Sequence, residues 1–144
     1  MQEFVLDANV VISFLLQEGS AYADGVFKEH LARGAMAHVP TLWHLEIRNV
    51  LFLKERAGKL MPGEAHQAMA SLASLTIVMD AHTTAASTLM HLERLMLRHG
   101  LTSYDATYLE LAYRLDVPIA TQDKDIIAAT KSLEVSLFKS RYRC

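Results

Sequence analysis

The stretch FVLDANVVISFLL, Phe4 to Leu16, decides the fold. Glu3 to Leu6 form a short, mostly apolar run that ends at Asp7, and from Ala8 to Leu16 the pattern turns helical, with Gly19 as a natural stop. Strand then helix is the opening unit, and the chain repeats it. Ser20 can cap a second helix through about Ala32, Gly34 ends it, and Met36 to Val39 reads as a second strand closed by Pro40. Thr41 is placed to cap a long helix reaching Ala57, with Gly58 beyond, and Pro62 to start another through about Leu72. Thr76 to Met79 reads as a third strand, His82 to Arg98 as a helix closed by Gly100, and Thr102 or Ser103 as the cap of a helix to about Leu115. A fourth strand at Val117 to Ala120, a short helix from Asp123 to about Thr130 and a last strand near Glu134 to Phe138 complete the order. Such alternation specifies an α/β fold, a parallel sheet with helices on both faces. The three prolines and most of the six glycines fall at breaks, and no repeat, linker or charge run interrupts the pattern. A single domain over residues 1–144 is expected.

The chain length of 144 residues suits one domain that removes about 70% of its unfolded surface from water. Apolar types at 51% and charged types at 21% are ordinary globular usage, which excludes disordered, collagen-like and low-complexity classes. The single cysteine, Cys144, excludes an internal disulfide framework and any multi-thiolate metal site. The longest stretch free of Asp, Glu, Lys and Arg, Ala65 to Met79, is 15 residues long and carries polar side chains, too short for a membrane span. Glu3 and Asp7 stand where a signal peptide needs a basic start and an apolar run, so a cytoplasmic protein with no membrane partner is expected. The formal net charge of -2 advertises no basic field for nucleic acid.

The acids are where the chemistry lies. Asp7 follows the first strand and Asp123 follows the fourth by a few residues, at the carboxyl edge where open parallel sheets bind ligands. Taken singly, each is equally at home capping a helix, where N–H groups and the dipole favour negative charge. Glu46 lines up on its helix with Leu42, Val50 and Leu53, so an acid interrupts an apolar stripe, and Asp105 shares a face with Tyr108, Leu109 and Ala112. A buried carboxylate needs a cation, a metal or strong donors. A neighbouring Arg would answer that need for Glu46 alone. Four converging carboxylates without cations would repel and raise one another's pKa values, which a divalent metal relieves. Oxygen-only ligation suits Mg or Mn, ions that also bind phosphate oxygens, and this points to a phosphodiester substrate. Setting these four acids aside leaves 14 basic against 12 acidic residues, which weakens the charge objection to nucleic acid.

These residues resemble the PIN-domain nucleases, in particular the VapC toxins of bacterial type II toxin-antitoxin modules. The resemblance spans nearly the whole chain and rests on FVLDANVVISFLL, on PTLWHLEIRNVL from Pro40 to Leu51, and on LTSYDATYLELAYRLDVPIATQD from Leu101 to Asp123. It implies a PIN-like three-layer sandwich with a five-stranded parallel sheet, Mg or Mn dependence and endoribonuclease activity. It implies that Asp7, Glu46, Asp105 and Asp123 are the acidic quartet that holds metal. Asn9 and Thr121 match supporting polar positions of the family, and Asn49 matches a further frequent one. The resemblance also implies an RNA substrate, a homodimer and a VapB-type antitoxin whose C-terminal segment enters the acidic groove.

Other residues carry weaker signals. Asp125 reads as a solvated residue in a first helical turn and stays outside the quartet, and Ser103 reads as a cap. Trp43, Phe52, Tyr104 and Tyr108 sit at helical spacings that suit a core or a dimer contact rather than base stacking. The tail carries Lys139, Arg141 and Arg143 around aromatics, which suits either an RNA contact or a solvated end. A haloacid-dehalogenase-like phosphatase would need a second Asp where Asn9 stands, and a zinc deaminase would need a Cys pair downstream of His44 and Glu46. P-loop and Rossmann glycines are absent. A solitary RNA-processing nuclease of the same family, or a module that kept the fold and lost catalysis, remain as alternatives.

Overall fold

The structure is a computed structural model that describes residues 2–140. The tail residues Arg141 and Arg143, and Cys144, lie outside the described residues. Strand β1 (Glu3–Leu6) leads into helix α1 (Ala8–Leu15), and α2 (Ala21–Gly25) follows. β2 (Met36–Val39), α3 (Trp43–Arg56), α4 (Glu64–Ser71) and β3 (Thr76–Met79) come next. The chain then forms α5 (Ala86–His99), α6 (Ser103–Leu115), β4 (Ile119–Ala120) and α7 (Lys124–Leu133). The four strands pair in parallel in the order β3-β2-β1-β4. In β1 Phe4, Val5 and Leu6 are all fully buried, so both faces of the central strand are covered, as a parallel sheet requires. α6 is apolar enough to bury every residue from Ala106 to Ala112 and packs on β1, β2 and β4, with α5 and α7 against it. α1 packs on α2 and α3, and α3 on α4.

The α/β reading and the parallel sheet flanked by helices hold, but among the described residues the sheet has four strands rather than five. The expected last strand, Glu134 to Phe138, is used otherwise. Glu134 adopts a left-handed conformation (φ 56) to end α7, and the Val135 N–H closes that helix end on the Thr130 carbonyl. What remains makes one parallel bridge, Ile119 with Leu137, and is pinned by Phe138 stacking on Phe4 at 4.0 Å. β4 is shorter than expected for a similar reason: the Val117 N–H returns to Ala112 O to close α6, and Pro118 has no N–H to give.

Several helix starts also differ. Thr41 does not cap α3. Leu42 occupies that position without a side-chain bond, while the Thr41 N–H is taken by Thr83 Oγ1. The helix expected from Pro62 begins at Glu64, after Gly63 in the left-handed region (φ 90). The one expected from His82 begins at Ala86, because Asp80 binds the His82 N–H and the Thr83 hydroxyl and folds that segment into a turn. The helix expected from Ser20 to Ala32 loosens into a π turn at Val26–His30 and a short 3-10 turn at Leu31–Arg33. Among the described residues, no helix is long and apolar enough to cross a membrane.

Candidate active site

β1 lies between β2 and β4, so the connections leave it in opposite directions and open a crevice at the carboxyl ends of β1 and β4. Asp7 stands at the end of β1 and Thr121 at the end of β4. Asp7 is 4% exposed; its Oδ2 accepts from the Thr121 hydroxyl at 2.7 Å and its Oδ1 from the Asn9 N–H at 3.2 Å, which makes it the N-cap of α1. Thr121 Oγ1 in turn accepts the Asp123 N–H at 3.0 Å. Asp123 caps α7 with Oδ1, taking the N–H groups of Asp125 and Ile126 at 2.9 and 3.0 Å. Both acids are thus helix caps, and each cap fixes a carboxylate just beyond the carboxyl end of a strand.

α3 and α6 bring the other two acids. The buried stripe of α3 is Trp43, Ile47 and Leu51, and Glu46 lies on its flank, half-buried. The expected alignment with Leu42, Val50 and Leu53 is not the buried one, since Leu53 is 45% exposed. α3 is apolar on too many sides for its phase to be read from periodicity alone. Glu46 Oε1 accepts from the Tyr108 hydroxyl at 2.6 Å. Its neighbour Arg48 turns instead to the His44 carbonyl at 3.1 Å. Asp105 sits in the first turn of α6, capped by Thr102, whose Oγ1 accepts the Asp105 N–H at 3.1 Å.

Electrostatics ties the four together. Asp7 is raised to about 7: burial is the chief cause, the Thr121 and Asn9 hydrogen bonds oppose it, and the Glu46 and Asp105 charges add to the rise. Burial raises Glu46 as well, opposed by Tyr108 and helped by Asp105. Asp105 is raised by burial and then by Asp123, with Thr102 opposing and Asp125 adding a smaller push. Among the described residues none of the four acids forms an ion pair. Nor, among them, do three or more His, Cys, Asp or Glu side chains stand arranged to hold a metal ion by themselves. The donor set nevertheless fits a hard divalent ion of the Mg type, which takes one or two carboxylates and completes its octahedron with water and phosphate oxygens.

The supporting residues divide. Asn9 Oδ1 accepts the Gln122 N–H at 3.3 Å, which with Thr121 binds the β4–α7 loop to α1 beside Asp7. Asn49, one helical turn after Glu46, is exposed and lines a surface depression with Arg48, Phe52, Leu53, Arg56 and Pro62. Gln122, which the sequence did not single out, accepts from the Ser20 hydroxyl at 2.6 Å and donates to Ser13 Oγ at 3.1 Å. Its place between Thr121 and Asp123 was the available signal. Equally unforeseen, Arg114 binds Asp80 with two bonds of 2.9 and 2.8 Å and Glu110 with two of 2.7 and 2.9 Å, clamping α6 to the end of β3.

Residues 4–132 match the PIN domain family. The chain is 32% identical over 129 residues to Ribonuclease VapC1 of Mycobacterium tuberculosis, covering 90% of this chain and 92% of that one. In fold it is similar to PAE2754 from Pyrobaculum aerophilum, with a TM-score of 0.65, 24% identity and coverage of 90% of this chain and 81% of that one. It is also similar to VapBC2 from Rickettsia felis, solved bound to a DNA fragment from their promoter, with a TM-score of 0.62, 14% identity and coverage of 95% and 98%. The family match runs from β1 into α7 and takes in all four acids, so the chain belongs to the PIN-domain family and, within it, is VapC-like.

Proposed function

We propose that this chain is a divalent-metal-dependent endoribonuclease, one PIN domain throughout, and the toxin of a VapBC-type pair. Asp7, Glu46, Asp105 and Asp123 hold Mg or Mn, with Asn9, Thr121 and Asn49 supporting. The observation that carries this reading is Asp7: a residue 4% exposed, its carboxyl raised to about 7 chiefly by burial with the Glu46 and Asp105 charges adding to the rise, is costly to ionise unless a cation joins it. The ribonuclease name of the Mycobacterium tuberculosis relative supports RNA as the substrate, and the VapBC neighbour supports an antitoxin partner. The reading includes a homodimer, which light scattering at micromolar concentration tests, a monomer counting against it.

Bound at these carboxylates, a hard divalent ion supplies positive charge to the scissile phosphate and eases loss of a proton from the attacking water. The chain's own groups do the rest. Thr121 and the Asn9 N–H hold Asp7 in one orientation, the α7 cap holds Asp123, and Tyr108 holds Glu46. Water forms a bond to phosphorus while the bond to the 3′ oxygen breaks; the water proton passes to a carboxylate, Glu46 or Asp123, and the departing oxygen takes a proton from solvent. The test is RNA cleavage by the wild-type chain with Mg or Mn, with EDTA, and by Asp105→Asn with metal. Cleavage confined to the first condition is expected. Undiminished cleavage in EDTA would refute the metal, and normal cleavage by Asp105→Asn would refute the site. A folded chain inactive on every RNA tried would favour a silent module.

A further inference from the structure

Tyr108 is fully buried and stands one helical turn after Asp105 on the same face of α6. Its hydroxyl crosses to α3 and donates to Glu46 Oε1 at 2.6 Å, while Oε2 accepts no hydrogen bond among the described residues. A buried phenol needs an acceptor, and a backbone carbonyl suffices, as the 2.8 Å bond from Tyr22 to Phe138 O shows. Here the acceptor is a carboxylate of the candidate site instead. The ring, wedged in the core, cannot follow Glu46 if the carboxylate turns, so one oxygen is committed and the other is not.

We propose that the Tyr108 hydroxyl is a positioning group that restricts Glu46 to single-oxygen ligation through Oε2 and so favours small octahedral ions over larger ones. This rests on the reading above that the acids hold a divalent ion. Mg demands near-ideal octahedral geometry, whereas Ca accepts a carboxylate through both oxygens in a looser shell. Freeing Oε1 should therefore help Ca and hurt Mg.

The experiment is Mn binding to the full chain followed by electron paramagnetic resonance, with Mg and Ca as competitors, for wild type and Tyr108→Phe. Substituting groups that orient metal ligands typically weakens affinity by about 10-fold to 100-fold. Tyr108→Phe should therefore lose about tenfold in Mg affinity with Ca affinity unchanged or raised, so that the Mg-to-Ca ratio falls by about tenfold. A purely structural loss would weaken both ions alike. An unchanged ratio in a folded Tyr108→Phe chain, with wild type binding normally, overturns this inference alone. Failure of wild type to bind any of the three ions overturns the metal reading and this inference with it. Should Tyr108→Phe not fold, the chain labelled with 3-fluorotyrosine answers the question. Its Tyr108 resonance should move on adding Mg, and that response should vanish in Glu46→Gln; a resonance unmoved by Mg overturns the proposal.

Discussion

Replacing Asp7 with Asn should stabilise the metal-free protein, and the gain should grow with pH. The Asp7 carboxyl is raised from its ordinary 3.8 to about 7, burial being the chief cause. Between those two values the folded chain keeps a proton that the unfolded chain releases, so stability falls as pH rises through that window and levels off above it. The full cost of holding Asp7 ionised is about 4 kcal/mol. Asn has nearly the same shape, keeps the Asn9 N–H bond and turns its amide to Thr121, losing the stronger of the two bonds for about 1 kcal/mol. The variant should therefore be more stable than wild type by about 3 kcal/mol near pH 8, and its advantage should shrink by about 2–3 kcal/mol near pH 5. Urea unfolding of both chains in EDTA at the two pH values measures this. A stability difference that does not change with pH, or a variant less stable near pH 8, would refute the reasoning. Saturating Mg should narrow the gap by stabilising wild type and not the variant.

Further outcomes follow from the same contacts. Glu46→Gln should cut RNA no faster than wild type in EDTA while keeping its helical circular dichroism, because the amide oxygen can still accept from Tyr108. Arg114→Leu should cost about 3–5 kcal/mol in urea unfolding, since it leaves the Asp80 and Glu110 side chains, 7% and 4% exposed, without their cation. Burial alone would raise Asp80, but the Arg114, His82 and Thr83 hydrogen bonds bring it to about 2. Its contribution is therefore present above its ordinary 3.8 and disappears as pH falls toward 2, a loss that Arg114→Leu should not show. Gln122→Leu, which removes the links to Ser20 and Ser13, should weaken Mn affinity by about tenfold through displacement of Thr121 and Asp123. Expression without an antitoxin should slow host growth and co-expression should restore it; harmless expression of active protein would count against the toxin reading.

What the sequence shows here is mostly local. β1, β2 and β3 are legible because each is a short apolar run ended by a turn or helix-starting residue, and α6 and α7 because Thr102 and Asp123 are caps with the right chemistry. Asp7 and Asp123 are legible as site candidates from their place after strands. The phase of α3 is not, because Leu42, Trp43, Leu45, Ile47, Val50, Leu51 and Phe52 offer more than one apolar stripe and tertiary packing selects Trp43, Ile47 and Leu51. The bond from Tyr108 to Glu46 and the clamp from Arg114 to Asp80 join residues 62 and 34 positions apart, so no spacing announces them. The missing fifth strand is a competition between a helix end and a sheet edge, which Glu134 settles by entering the left-handed region.

The most direct measurement of the central claim is the chemistry of the cut ends. An all-carboxylate site with metal activates water against phosphorus, whereas ribonucleases that use the substrate's 2′-hydroxyl leave a cyclic phosphate. RNA digested by the wild-type chain in Mg or Mn should give fragments with a 5′-phosphate and a 3′-hydroxyl by mass spectrometry. A 2′-deoxy substitution at the cut site should not block cleavage, and EDTA should abolish it. Fragments ending in 2′,3′-cyclic phosphate would contradict the assignment of Asp7, Glu46, Asp105 and Asp123 as the groups that carry the reaction.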